Sequence, residues 1–188
     1  MTDKEILRIR KEIILNKGIP ALNKNGFEKS PYSGADFGWH PSLGYFYELC
    51  RLRENSILER VRIDIVKGDR WIKVWLNAFK LSPTVNKLID LKEIDGIKFR
   101  IPPCSSSEMR IHVDDRKGIP LFDIEHWKST HKLKKSFTDG GLSKAISLLS
   151  ENVENDLKNI DQFFKRWYEL YALSCTSWDG ILKTELVE

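Results

Sequence analysis

Alternating apolar and polar residues dominate the middle of the chain. In segment 57–66 the apolar residues Val61, Ile63 and Ile65 alternate with charged ones, and segment 71–79 repeats the pattern. A two-residue period is typical of a β-strand that buries one face and shows the other to water. These segments therefore predict two neighbouring strands, each with one aliphatic and one polar face.

Three further segments complete the predicted sheet. Segment 43–51 comes before the first two, and the joins between all three are short and polar, as in an antiparallel meander. Segments 97–101 and 109–113 also alternate, which extends the predicted sheet to about five strands. Segment 27–41 contains two glycines and two prolines, so we expect an irregular loop that packs back on the sheet.

Helical patterns occur in the sequence both before and after the predicted strands. Thr2 and Glu5 have the spacing of a capping box at the start of an apolar stripe, which we expect Gly18 to end. The longest stripe runs at helical spacing through 142–173. Polar residues at 152–156 leave open whether this stripe is one helix or two.

These patterns predict one α+β domain over residues 1–188. A sheet with one apolar face must be covered, and the N-terminal and C-terminal helical segments are the amphipathic elements available. We therefore expect both on the aliphatic face of the meander, with Phe164 and Trp167 among the most buried aromatic side chains.

The composition is that of an ordinary globular protein. Hydrophobic residues make up 41% of the chain and the net charge is +4, which permits an anionic partner without specifying one. Three widely spaced cysteines form no paired motif, as is typical of proteins in a reducing compartment. Nothing in the sequence has the pattern of a signal peptide or a membrane span. The sequence therefore predicts a soluble cytoplasmic protein with no membrane partner.

The common motifs of catalysis and metal binding do not occur in the sequence. Nucleophile-elbow, phosphate-loop and dinucleotide-binding patterns are missing. His126 and His131 are five residues apart, a spacing that fits neither one helical face nor a zinc finger. The sequence thus favours a non-enzymatic protein with no cofactor and no metal. The enzymatic alternative is a hydrolase-type cleft near His40 and His112, with one of the aspartates at 114–115.

The polar face of the meander carries the residue types most typical of a binding surface. Arg60 and Arg62 lie on the polar side of one predicted strand, and Trp71 and Trp75 on the polar side of the next. Tryptophan and arginine are enriched at protein interfaces because they combine large contact area with directed hydrogen bonds. We therefore predict a protein-binding surface here, provided that no other helix covers this face.

A basic segment provides the alternative, which is binding to nucleic acid. Lys128, Lys132, Lys134 and Lys135 occur close together with an aromatic residue at each end of the segment. Such lysines can contact phosphates. No arginine, helix-turn-helix pattern or RNA-binding signature accompanies them, so a solvated loop is the competing interpretation.

The layout as a whole resembles a family of small bacterial α+β proteins. The shared features are Asn25-Gly26-Phe27 after the first helix, a strand with Tyr45 and Tyr47, a meander that closes in Leu76-Asn77-Ala78-Phe79, and a C-terminal helix with Phe163, Phe164 and Trp167. Members of this family are mostly domains of unknown function, and some similar proteins are immunity partners of bacterial toxins. The resemblance implies a protein partner such as a toxin, and it transfers no catalytic residue.

Overall fold

The computed structural model describes residues 1–31, 36–82, 84–92, 108–112, 131–136 and 138–177. The helices are α1 (Asp3–Ile13), α2 (Ile19–Lys24), α3 (Asp139–Lys158) and α4 (Ile160–Leu170), with a π-helical turn at Ile14–Gly18 and a 3₁₀ helix at Leu88–Lys92. The strands are β1 (Glu28–Lys29), β2 (Phe37–His40), β3 (Gly44–Arg53), β4 (Ile57–Val66), β5 (Lys73–Ser82), β6 (Met109–Arg110) and β7 (Ser174–Ser177). The predicted α+β fold is confirmed, while the predicted strand at 97–101 lies outside the described residues.

Strands β3, β4 and β5 form the antiparallel meander that the alternation predicts. Val61 pairs with Leu49 on one side and with Leu76 on the other, so the apolar positions of the three strands share one face. β1 and β2 pair with the outer edge of β3, whereas β6 and the parallel strand β7 pair with the outer edge of β5. Segment 27–41 thus contains two short strands where a loop was expected, because its backbone finds partners on the open edge of β3.

The helices cover the aliphatic face of the meander and close a hydrophobic core. The apolar residues of β4 and β5 lie in one cluster with residues from α1, α3 and α4. Phe164 and Trp167 are 0% exposed in this cluster, which confirms their predicted burial. Within the described ranges, none of the helices combines the length and apolar character that a membrane span requires.

The C-terminal apolar stripe consists of two helices, α3 and α4. They are separated at Asn159 and not at 152–156, where the polar residues are concentrated. Asn25, at the end of α2, donates its side-chain amide to the carbonyl oxygens of Leu157 and Lys158. The last carbonyls of a helix have no partners within it, and this tertiary contact supplies partners for two of them at the end of α3.

The N-terminal helix begins as predicted but continues past Gly18. The hydroxyl of Thr2 accepts a hydrogen bond from the Glu5 amide, and the Glu5 carboxylate accepts one from the Thr2 amide. Gly18 keeps a right-handed helical conformation and leads into α2. A Cβ at Gly18 would lie 2.9 Å from Ile14 Cδ1 and 3.1 Å from Leu157 Cδ1. The glycine therefore lets α3 approach closely and does not stop the helix.

Candidate functional site

The polar face of the meander lies on the side of the sheet opposite to the helices. In the register of β4 and β5, Arg62 pairs with Trp75 and Arg60 pairs with Asn77. Directly paired residues project from the same face of a sheet, so arginine and tryptophan do share this face at Arg62 and Trp75. Trp71 comes just before β5 and forms an isolated antiparallel bridge with Lys132.

Two half-buried indoles and three cations form a continuous row on this face. Lys132 Nζ lies 4.6 Å from the centre of the Trp71 ring, and Arg110 Cζ lies 5.5 Å from it. Arg110 Cζ also lies 5.8 Å from the Trp75 ring, and Arg62 Cζ lies 5.6 Å from that ring. These distances fall within about 6 Å, the range of cation–π attraction. We call Arg62, Trp75, Arg110, Trp71 and Lys132 the tryptophan–cation row.

Carboxylates next to the row neutralise the arginines of β4; they are Glu48, Asp64 and Glu108. Arg60 is 9% exposed and pairs with two of them. Arg62 also pairs with two of them, at 3.2 and 3.1 Å. Asp64 Oδ2 accepts a hydrogen bond from Trp75 Nε1 at 2.9 Å, which fixes the orientation of that indole. Arg60 is therefore a buried ion-pair partner within the sheet face.

In the described part of the chain, Arg110 and Lys132 make cation–π contacts with indoles but no ion pair. Neither has a carboxylate within ion-pair distance there, and Nε of Arg110 is buried without a hydrogen-bond partner. Arg110 was not among the residues predicted from the sequence, although it lies in the predicted strand 109–113. Arg110 lies on the polar face because it pairs with Trp75 across β5 and β6. Alternation within one segment does not predict which strands pair, so the sequence did not reveal this contact.

The other end of the same face is closed by apolar residues. Leu58 and Phe79 are 1% and 2% exposed, and Val85 of the following segment is also buried. Cys50 is fully buried here, and its burial, together with the nearby charge of Glu48, raises the pKa of its thiol to about 12. The tryptophan–cation row thus occupies the less covered end of the face.

The basic segment is divided between the row and the protein surface. Lys132 belongs to the row, whereas Lys134 and Lys135 are exposed. Arg70 holds the segment against the sheet by donating to two of its backbone carbonyls at 2.8 and 3.1 Å. Lys128 lies outside the described residues. Of the three described lysines of the basic segment, one therefore faces an indole and two face solvent.

On the helix-covered side of the sheet, two histidines converge on one carboxylate oxygen. Nε2 of His112 lies 2.7 Å and Nε2 of His131 lies 2.8 Å from Oδ2 of Asp156. His112 follows β6, His131 lies in a segment whose backbone pairs with the chain just before β5, and Asp156 lies on α3. The two imidazole rings are 5.1 Å apart, and Phe163 packs edge-on against His112 at 5.7 Å. We call His112, His131 and Asp156 the histidine–aspartate cluster.

The surroundings favour an ionised Asp156 and a neutral His131. Burial raises the pKa of Asp156, but the hydrogen bonds from His112 and His131 outweigh burial and lower this pKa to about 2. His131 is 1% exposed, and burial lowers its pKa while the hydrogen bond to Asp156 acts in the opposite direction. A carboxylate and a neutral imidazole are the forms of these groups that bind metal ions.

Sequence spacing could not identify this cluster. Asp156 is 44 residues from His112 and 25 residues from His131, so no local motif links them. His40 lies on β2 at the opposite edge of the sheet, where its ring packs against Phe46 of the polar face. The structure therefore does not bring His40 and His112 together, and the aspartates at 114–115 lie outside the described residues.

No family model, curated protein or solved structure matches this chain, and the roles of its residues are therefore argued from the geometry above.

Proposed function

We propose that this protein acts by binding an acidic partner protein through the tryptophan–cation row. The observation that carries the proposal is the state of Arg110 and Lys132, which lie over half-buried indoles without a carboxylate partner in the described residues. Tryptophan and arginine are the residue types that most often dominate binding energy at protein interfaces. The row offers both at one place on the sheet.

The charges of the row indicate the chemistry of the partner. Arg62 already has Asp64 and Glu108 as ion-pair partners, whereas Arg110 and Lys132 have none in the described residues. A cation–π contact leaves the charge of the cation in place, so each of these two side chains can still pair with a carboxylate. The complementary surface is a protein segment that brings carboxylates to Arg110 and Lys132 and covers the indoles with apolar atoms.

The state of the indoles favours a protein over a nucleic acid. Each indole holds two cations over its ring, whereas single-stranded nucleic acid is bound by stacking bases on open aromatic faces. Nucleic-acid binding by the basic segment is the alternative that the experiment must separate.

The resemblance to immunity proteins suggests one concrete form of this function. In that form the acidic partner is a bacterial toxin, and binding blocks the toxin by covering part of its surface. The cytoplasm is the compartment in which such a complex would form.

Carbodiimide cross-linking tests the proposal directly, because it joins an amine to a carboxylate only where the two are in contact. The protein is immobilised, incubated with a lysate of its source cells, cross-linked and mapped by mass spectrometry. We expect a partner joined to Lys132 through an aspartate or glutamate. Arg110→Glu should weaken the affinity of that partner by at least about 30-fold, since losing a desolvated charge pair costs about 2 kcal/mol or more.

Lys135→Glu is the matched control, because it makes the same charge reversal on an exposed lysine outside the row. It should leave the partner bound. Full retention of the partner by Arg110→Glu would refute the proposal. Binding to a labelled oligonucleotide that weakens steeply with salt and is lost in Lys135→Glu would instead support the nucleic-acid alternative.

A further inference from the structure

We propose that the histidine–aspartate cluster is a binding site for a divalent transition-metal ion of the zinc class. His112, His131 and Asp156 each offer one ligand atom, and these atoms all lie within 4.8 Å of one another. Two imidazole nitrogens and one carboxylate oxygen are a common zinc ligand set. The site is separate from the tryptophan–cation row and lies on the other side of the sheet, so the inference does not depend on the proposed partner.

The spacing of the ligand atoms suits a metal after a small rearrangement. In a tetrahedral zinc site with bonds of about 2.0–2.1 Å, neighbouring ligand atoms are about 3.3 Å apart. The two Nε2 atoms are 2.7 and 2.8 Å from Asp156 Oδ2. Outward movements of about half an ångström would therefore make room for an ion between them, and a fourth position remains open to water.

The hydrogen bonds of the cluster leave His131 poorly compensated for its burial. Its side chain is 2% exposed, its Nδ1 is buried without a hydrogen-bond partner among the described residues, and its Nε2 shares the Asp156 oxygen with His112. A metal bond at Nε2 would replace this shared hydrogen bond by a stronger interaction, and Nδ1 would then carry the proton of the ring.

The backbone at His112 gives independent support. Arg110 lies on the polar face, so a regular strand would place residue 112 on that face as well. His112 instead adopts a left-handed conformation with φ 54° and contacts Asp156 on the helix-covered side. Such a conformation is strained for a residue other than glycine and tends to occur at functional sites. Here the left-handed conformation directs the imidazole of His112 toward His131 and Asp156.

An ion in this site would join three parts of the chain that are distant in sequence. His112 follows the edge strand β6, His131 belongs to the segment bridged to Trp71, and Asp156 lies on α3. The ion would therefore act as a clamp between the edge of the sheet and the C-terminal helix. Structural zinc sites usually have four protein ligands, so with these three ligands water would take the fourth position.

Metal titration of the full-length, untagged chain tests the site. After treatment with a chelator, the protein is titrated with Zn²⁺ against a chromogenic competitor and with Co²⁺ as a spectroscopic probe. We expect one Zn²⁺ per chain, a cobalt absorption band typical of a tetrahedral site, and a melting temperature that rises with Zn²⁺ and not with Mg²⁺. Asp156→Asn and His112→Asn should each weaken Zn²⁺ binding by at least 100-fold.

His40→Asn is the matched control, because it removes a histidine at the opposite edge of the sheet. It should bind Zn²⁺ as the wild type does. The side chain of His112 is 32% exposed, so His112→Asn should keep the native circular dichroism spectrum even if a substitution of the buried His131 prevents folding. The proposal is overturned if the folded wild type takes up no stoichiometric Zn²⁺, or if His112→Asn binds it unchanged.

Discussion

Replacing Trp167 by alanine removes the largest fully buried side chain in the described part of the chain. Trp167 is 0% exposed and its ring lies 5.3 Å from Tyr168 and 5.4 Å from Tyr171. An aromatic side chain that buries about 150–250 Å² loses about 4–6 kcal/mol at about 25 cal/mol per Å². Measured costs of such truncations are about 3–5 kcal/mol. We therefore expect the free energy of unfolding to fall by about 3–5 kcal/mol.

Thermal and denaturant melts measure this loss. For a chain of 188 residues, each kcal/mol corresponds to about 2–4 °C, so the variant should melt roughly 6–20 °C below the wild type. Trp39→Ala is the control, because Trp39 is 51% exposed, and it should cost less than about 1 kcal/mol.

Melts at several protein concentrations separate core burial from a dimer contact. Trp167 is buried within a single chain, so its effect should not change with concentration. If Trp167→Ala melted within about 2 °C of the wild type, or if the difference depended on concentration, the helix would not complete the core in the way described.

Two further substitutions and one chemical probe test other parts of the fold. Gly44→Ala should destabilise the protein by at least about 2 kcal/mol in urea melts, because φ is +139° and the new Cβ would lie 2.2 Å from Ile65 O. Gly68→Ala, with φ +73° and nothing within 4 Å, should cost about 1 kcal/mol, and equal losses for the two variants would contradict the steric argument. Cys50 should resist alkylation at pH 8 in the native state, because it is buried and its pKa is about 12. Peptide mapping that found Cys50 modified as fast as a free thiol would show that this end of the face opens readily.

The meander could be predicted from the sequence because its signal is local. Alternation marks β4 and β5, and short polar joins favour the pairing of adjacent strands. The same alternation correctly placed Arg62 and Trp75 on one face. It could not show that Arg60 is held by Glu48, since that ion pair depends on the register between β3 and β4.

The remaining features depend on contacts between distant parts of the chain. Gly18 alone suggests the end of a helix, whereas in the fold its close approach to Ile14 and Leu157 leaves little room for a side chain at this position. Arg110 joins the row because β6 pairs with β5. The histidine–aspartate cluster needs residues from two edge segments and from α3 to meet, and no spacing rule covers such a case.

The placement of α3 and α4 over the meander also sets the order in which a growing chain can fold. The three long strands end at Ser82, but the helices that complete their cover end only at Leu170. At about 5–20 residues per second, the 88 residues between these points take roughly 4–18 s to synthesise. During that interval the nascent sheet shows much of its aliphatic face to solvent, so we expect the protein to depend on chaperones during synthesis far more than during refolding of the finished chain.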